Sequence, residues 1–107
     1  MATQDTLHAV LAELLDEQPG NLTLEDLARC CAMAPGWVVE RVEAGLLQGD
    51  RSTGRWQFSG ATIVRARRLA RLESTFDADP ELAALTADLI EEVNTLRQRL
   101  RQLEARG

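Results

Sequence analysis

Apolar residues recur at helical spacing in five segments of this chain, and residues that start or stop helices bound each one. Leu7, Val10, Leu11, Leu14 and Leu15 follow the i, i+3, i+4, i+7 pattern over residues 5–17, and Pro19-Gly20-Asn21 ends the run. Thr23 then offers an N-cap with Asp26 three residues on, and Leu22 and Leu27 stand where a hydrophobic staple requires them. This predicts a second helix to about Cys31. Pro35 suits the first turn of a third helix, which carries Val38, Val39 and Val42 and ends at Glu43 or Ala44, with Gly45 just beyond its end. Two short helices joined by so short a turn make a helix-turn-helix.

The period changes after Gly45. Leu46-Leu47 leads into the turn-rich stretch 48–54, and Trp56-Gln57-Phe58 alternates like a strand, so residues 46–58 predict a small β-hairpin, or wing. Ser59 can cap the next helix, over residues 60–76. Ile63, Ala66, Leu69, Ala70, Leu72 and Phe76 are expected on one broad side of it, with Arg67, Arg68 and Arg71 opposite. Asp79 and Pro80 supply the cap and first position of the last helix, residues 80–104.

That last helix carries Leu82, Leu89, Leu96 and Leu103 at a strict spacing of seven. With these at d, the a positions are Thr86, Val93 and Leu100, a pattern suited to two strands. In a parallel pair Glu92 would face Arg97, and Arg99 would face Glu104; such exposed pairs are worth about 0–1 kcal/mol and set orientation more than affinity. Leu85 and Ile90 widen the apolar face of the first half, which is expected to pack partly on its own domain. Beyond Val93 the stripe narrows to a and d alone. Leu89, Val93, Leu96, Leu100 and Leu103 are therefore the candidate homodimer interface, parallel or antiparallel.

Composition narrows the functional classes. The 107 residues suffice for one domain, with Leu, Val, Ile and Ala as its core and only Trp37, Trp56, Phe58 and Phe76 as aromatics. The formal charge is −5, unevenly spread: −4 over residues 1–21, −1 over 22–58, +3 over 59–76 and −3 over 77–107. An acidic chain makes nucleic-acid binding unlikely as a main role. The helix that would read DNA, residues 35–45, carries Arg41 against Glu40 and Glu43 and has no Lys, Asn or Gln for base edges. Arg51, Arg55, Arg67, Arg68 and Arg71 are candidate phosphate contacts, which position a protein on DNA without specifying sequence.

Catalytic and cofactor chemistry are not expected. His8 is the only histidine and has no nucleophile motif near it, and the glycines follow neither dinucleotide nor P-loop spacing. Cys30 and Cys31 are adjacent, a poor geometry for a disulfide, and no further Cys or His cluster completes a zinc site. They read as reduced, buried thiols. With neither a signal-peptide pattern nor an apolar run of about 20 residues, the expectation is a soluble cytoplasmic protein without membrane, metal or small-molecule partner.

Several stretches resemble the chaperone modulator CbpM family, itself similar to the MerR-type winged-helix regulators. They are Val38-Val39-Glu40-Arg41-Val42-Glu43-Ala44-Gly45-Leu46-Leu47, Trp56-Gln57-Phe58, Arg65-Ala66-Arg67-Arg68-Leu69, Phe76-Asp77, Ala84-Leu85 and Asp88-Leu89-Ile90-Glu91-Glu92-Val93 before Leu96-Arg97. The resemblance covers roughly residues 22–104. It implies a mainly α fold, a MerR-like winged helix-turn-helix with a long C-terminal coiled-coil-like helix. The chain is expected to divide into an acidic helical extension over 1–21, the winged unit over 22–76 and a dimerisation helix over 77–107. The implied role is binding the J-domain of a DnaJ-like co-chaperone such as CbpA and blocking its contact with a DnaK-type chaperone. Because the J-domain uses a basic helix there, Glu40, Glu43, Asp88, Glu91 and Glu92 are the candidate partner surface. A dimeric DNA-binding regulator is the alternative. The acidic extension and Ser59, where relatives commonly carry an acid, depart from the family pattern.

Overall fold

The structure is a computed structural model and describes residues 22–106. The predicted helix over 5–17, the acidic extension and His8 lie outside them.

Four helices are present: α1 Leu24–Cys31, α2 Pro35–Glu43, α3 Gly60–Phe76 and α4 Pro80–Arg106. Their starts follow local chemistry. The Thr23 hydroxyl accepts from the Asp26 amide while the Asp26 carboxylate accepts from the Thr23 amide, the reciprocal capping box expected from the sequence. Ser59 accepts from the Thr62 amide at α3, and Asp79 from the Leu82 amide at α4. Pro35 opens α2 without a side-chain cap. Gly45, with φ 78°, carries the chain out of α2 in the left-handed region, where a Cβ is penalised.

α1 packs on α2 and on α3, and α3 packs on α4, so α1 and α3 are the two helices that join the others. The largest fully buried side chains are Phe58, Leu27, Ile63, Leu69 and Val38. Phe58 comes from the loop before α3 and leaves no room beside it: an ideal Cβ on Gly49 would lie 2.6 Å from Phe58 Cε1.

The hairpin expected over residues 46–58 is not formed. Asp50 and Gln57 exchange two backbone hydrogen bonds, at 2.9 and 2.8 Å, but the ladder stops there. Phe58 pairs instead with Leu22, the residue two before α1, at 2.9 and 3.3 Å. The result is two isolated antiparallel bridges and no strand among the described residues. A lone two-stranded ribbon is marginal in water, and here one arm divides its pairing between two partners. The wing is a loop, turned at Gly54 with φ 87° and stiffened by stacking of Trp56 on Phe58, centroids 5.9 Å apart.

Two expectations for α3 also change. Phe76, placed on its apolar side, is 70% exposed, because α3 ends there and Asp77, at φ 49°, turns the chain away. Arg67 and Arg68, placed on a solvent side, are half-buried, whereas Arg71 is exposed. A helix touching neighbours on two sides has only a narrow strip left for water.

α4 sorts its residues by face. Ala83, Ala84 and Ala87 are buried, with Ile90 and Glu91 half-buried beside them. Small side chains let the α4 backbone approach the body closely. The leucine face points away along its whole length: Leu82, Leu85, Leu89, Val93, Leu96, Leu100 and Leu103 are all between 44% and 63% exposed. From Glu92 onward every described residue is exposed. The first half of α4 does pack on its own domain, but through alanines and not through the d-position leucines.

Candidate functional site

On α2 the outward side chains are set by one internal contact. Glu73, on α3, receives three hydrogen bonds from α2: Trp37 Nε1 donates to Oε1 at 2.9 Å, Arg41 Nη2 to Oε1 at 2.6 Å and Arg41 Nε to Oε2 at 3.0 Å. The Arg41 and Glu73 side chains are each 12% exposed. The guanidinium also lies 4.9 Å from the Trp37 ring centroid. Burial pushes the Glu73 carboxyl up, but the hydrogen bonds from Arg41 and Trp37 and the Arg41 charge outweigh it and hold it below its ordinary range. The hydrogen bond to Glu73 likewise holds Arg41 above its ordinary value. The one cation of the reading helix is thus spent inside the molecule. Glu40 and Glu43 remain exposed, and α2 shows water a negative face.

The acids of α4 sit in a second arrangement. Arg65 on α3 donates from Nη1 to Glu91 at 2.8 Å, lies 2.9 Å from Asp88, and donates from Nε to the Leu46 carbonyl at 2.8 Å. Arg68 is 4.0 Å from Glu91. Asp88 and Glu91 therefore help bind α4 to α3, while Glu92 is exposed and makes no ion pair among the described residues. Arg65 and Arg68 together balance Asp88 and Glu91, so Glu92 is the acid of this stretch left over.

Of the candidate phosphate contacts, Arg51 and Arg55 are exposed on the wing, and Arg51 lies 5.3 Å from the Trp56 ring centroid. Arg67, Arg68 and Arg71 line a groove on α3 together with apolar residues. The five arginines thus fall in two places, the wing and the groove.

Both cysteines are free. Cys31 is buried, whereas Cys30, expected to be buried, is only half so. Burial, reinforced by Cys30 and only partly offset by Arg67, pushes the Cys31 thiol up to about 12, which makes it a poor nucleophile. Among the described residues no group of three or more His, Cys, Asp or Glu side chains could hold a metal ion. No described helix is long and apolar enough to cross a membrane.

Trp37, Glu73 and Arg65 carry these contacts, and no motif in the sequence points to them. Glu73 lies 32 residues from Arg41, and no local pattern links two positions so far apart. A lone acid in a basic helix was the only signal.

Comparison with known proteins agrees with this architecture. The family model described as MerR HTH family regulatory protein matches residues 22–105. The chaperone modulatory protein CbpM of Pseudomonas putida (strain W619) is 30% identical over 86 residues, covering 79% of this chain and 85% of that protein. The protein of the same name from Pseudomonas entomophila (strain L48) is 29% identical over the same shares. That from Coxiella burnetii (strain Dugway 5J108-111) is 24% identical over 96 residues, 89% of this chain and 91% of the relative. No solved structure matches the chain. With its helix-turn-helix, its pinned second helix and its long terminal helix, the chain belongs to the CbpM family of chaperone modulatory proteins, on a MerR-type helix-turn-helix scaffold.

Proposed function

We propose that this protein is a non-catalytic, cytoplasmic modulator that binds the J-domain of a DnaJ-like co-chaperone and occludes its contact with a DnaK-type chaperone. The observation that carries the reading is the state of α2. The helix that would read DNA has its only cation, Arg41, locked to Glu73, and offers Glu40 and Glu43 outward. Such a face repels a phosphate backbone and complements a basic helix. Glu92, with the solvent-facing parts of Asp88 and Glu91, would extend the docking surface. The relatives' name, chaperone modulatory protein, supports the same reading.

The protein acts as a homodimer in this reading. Leu89, Val93, Leu96, Leu100 and Leu103 pair with a second copy, and residues 77–107 serve as the dimerisation helix behind a helix-turn-helix unit over 22–76 and an extension over 1–21. Burying the exposed half of each leucine would contribute about 1 kcal/mol per side chain. No metal, cofactor or small-molecule ligand is required.

Calorimetric titration of the chain with the co-chaperone J-domain tests the proposal. Saturable binding is expected, weakened at least tenfold by Glu40→Arg with Glu43→Arg. Unchanged binding by that variant would discard the α2 surface. The family model's description as regulatory favours one second reading, a dimeric DNA-binding regulator holding phosphates with Arg51, Arg55 and Arg71. That reading requires DNA binding that falls linearly in log–log with salt.

A further inference from the structure

Two carboxylates act on Arg41. The hydrogen bonds to Glu73, and more weakly the charges of Glu73 and Glu40, hold its guanidinium above its ordinary value against the opposing effect of burial. Glu73 meets Arg41 inside the molecule, whereas Glu40, the preceding residue of α2, is exposed. The fork of one guanidinium pairs bidentately with one carboxylate at a time. Trp37 decides which. One turn before Arg41, its indole N–H donates to the same Glu73 carboxylate at 2.9 Å, and the guanidinium rests 4.9 Å from its ring centroid. Glu73 is also the only acid of residues 59–76, where four arginines stand.

An ion pair shut away from water returns little net stability, because desolvation consumes much of the attraction. The larger consequence of this pair is in the charge it leaves outside. Arg41 is the only basic residue of α2, so turning it inward leaves Glu40 and Glu43 on the outer face with no cation of their own helix against them. We infer that Glu73 is the specificity-determining residue of the α2 surface: by withholding Arg41 from Glu40 it keeps that face negative and so selects a basic helix as partner. Glu73 acts through Arg41, as a positioning residue. The inference rests on the co-chaperone reading and deepens it. Without the Glu73 charge, Arg41 turns outward and pairs with Glu40, which halves the negative charge that Glu40 and Glu43 offer.

Calorimetric titration of the full chain with the co-chaperone J-domain at low salt tests this role. Glu73→Gln keeps an acceptor for Trp37 and Arg41 but removes the charge, and is expected to weaken binding about fivefold. Adding Arg41→Gln to Glu73→Gln removes the freed cation and should restore the affinity to within about twofold of the unaltered chain. Glu40→Gln, which weakens the unaltered chain, should add little in the Glu73→Gln background, where Arg41 has already neutralised that glutamate. Affinity unchanged by Glu73→Gln would overturn the inference. So would a doubly altered chain as weak as the single one, which would leave Glu73 a structural role only. Both results leave the co-chaperone reading standing; an unaltered chain that binds no J-domain sinks the reading and this role together.

Discussion

Helices α2 and α4 both turn one face to solvent, and the two faces are exposed for opposite reasons. The α2 face is polar because its apolar and cationic side chains are used inward: Val38 lies in the core and Arg41 with Trp37 holds Glu73. Its glutamates are well solvated, and the helix is energetically complete alone. The α4 face is apolar because the inward contact is made by alanines, which leaves every leucine outside. Hydrated leucines forgo a stabilisation that a matching surface would recover. A polar face can wait for a partner, whereas a leucine face is incomplete without one. On that basis the co-chaperone contact proposed for α2 would be reversible and the pairing proposed for α4 would be permanent.

Four variants would break or sharpen this contrast. The largest effect is expected from Leu96→Asp with Leu100→Asp, which should give a folded monomer by analytical ultracentrifugation with the body's melting transition retained; loss of the whole fold would mean the leucine face is core. Next, Glu73→Ala leaves a nearly buried Arg41 and Trp37 Nε1 without their acceptor and should cost about 3 kcal/mol in denaturant unfolding. Charge reversal at Glu40 and Glu43 should leave stability within about 0.5 kcal/mol, as exposed positions do, while abolishing most co-chaperone binding. The smallest effect is in pH. A carboxyl held below its ordinary range stabilises the fold above its unfolded pKa, near 4.3, and loses that contribution as pH falls through its lower folded value. Glu73→Gln should therefore flatten the acid limb of the stability curve below about pH 4.5 relative to the unaltered chain.

The sequence was most informative where structure is decided within a few residues. The caps at Thr23, Ser59 and Asp79, the proline starts of α2 and α4 and the turn at Gly45 are all readable: each cap depends on one side chain and an amide three positions away, and the prolines and the glycine act through their own backbone. The wing was misjudged for a related reason: Trp56-Gln57-Phe58 has strand alternation, but whether a strand forms depends on a mate, and Phe58 takes Leu22 instead of extending the Asp50 pairing. The leucine spacing on α4 was plain, yet which face met the body was not, since alanine carries little hydropathic signal and is chosen for close approach. The role of Arg41 was the least legible. Its charge was counted toward α2, and only the fold shows it cancelled by Glu73.

The fixed angle between the two faces of α4 has a consequence for assembly. Successive residues of an α-helix advance by about 100° and 1.5 Å, so the alanine contact at Ala83, Ala84 and Ala87 sets the azimuth at which Leu96, Leu100 and Leu103 emerge roughly 14 to 24 Å beyond Ala87. The helix acts as a rigid coupling between the body and whatever covers its far end. In a two-fold pair, each body's orientation about the shared axis, and hence the direction in which its α2 glutamates point, is fixed by residue count along one helix. A single-residue insertion near Glu92 would change that direction by roughly a quarter turn without altering any contact within the body.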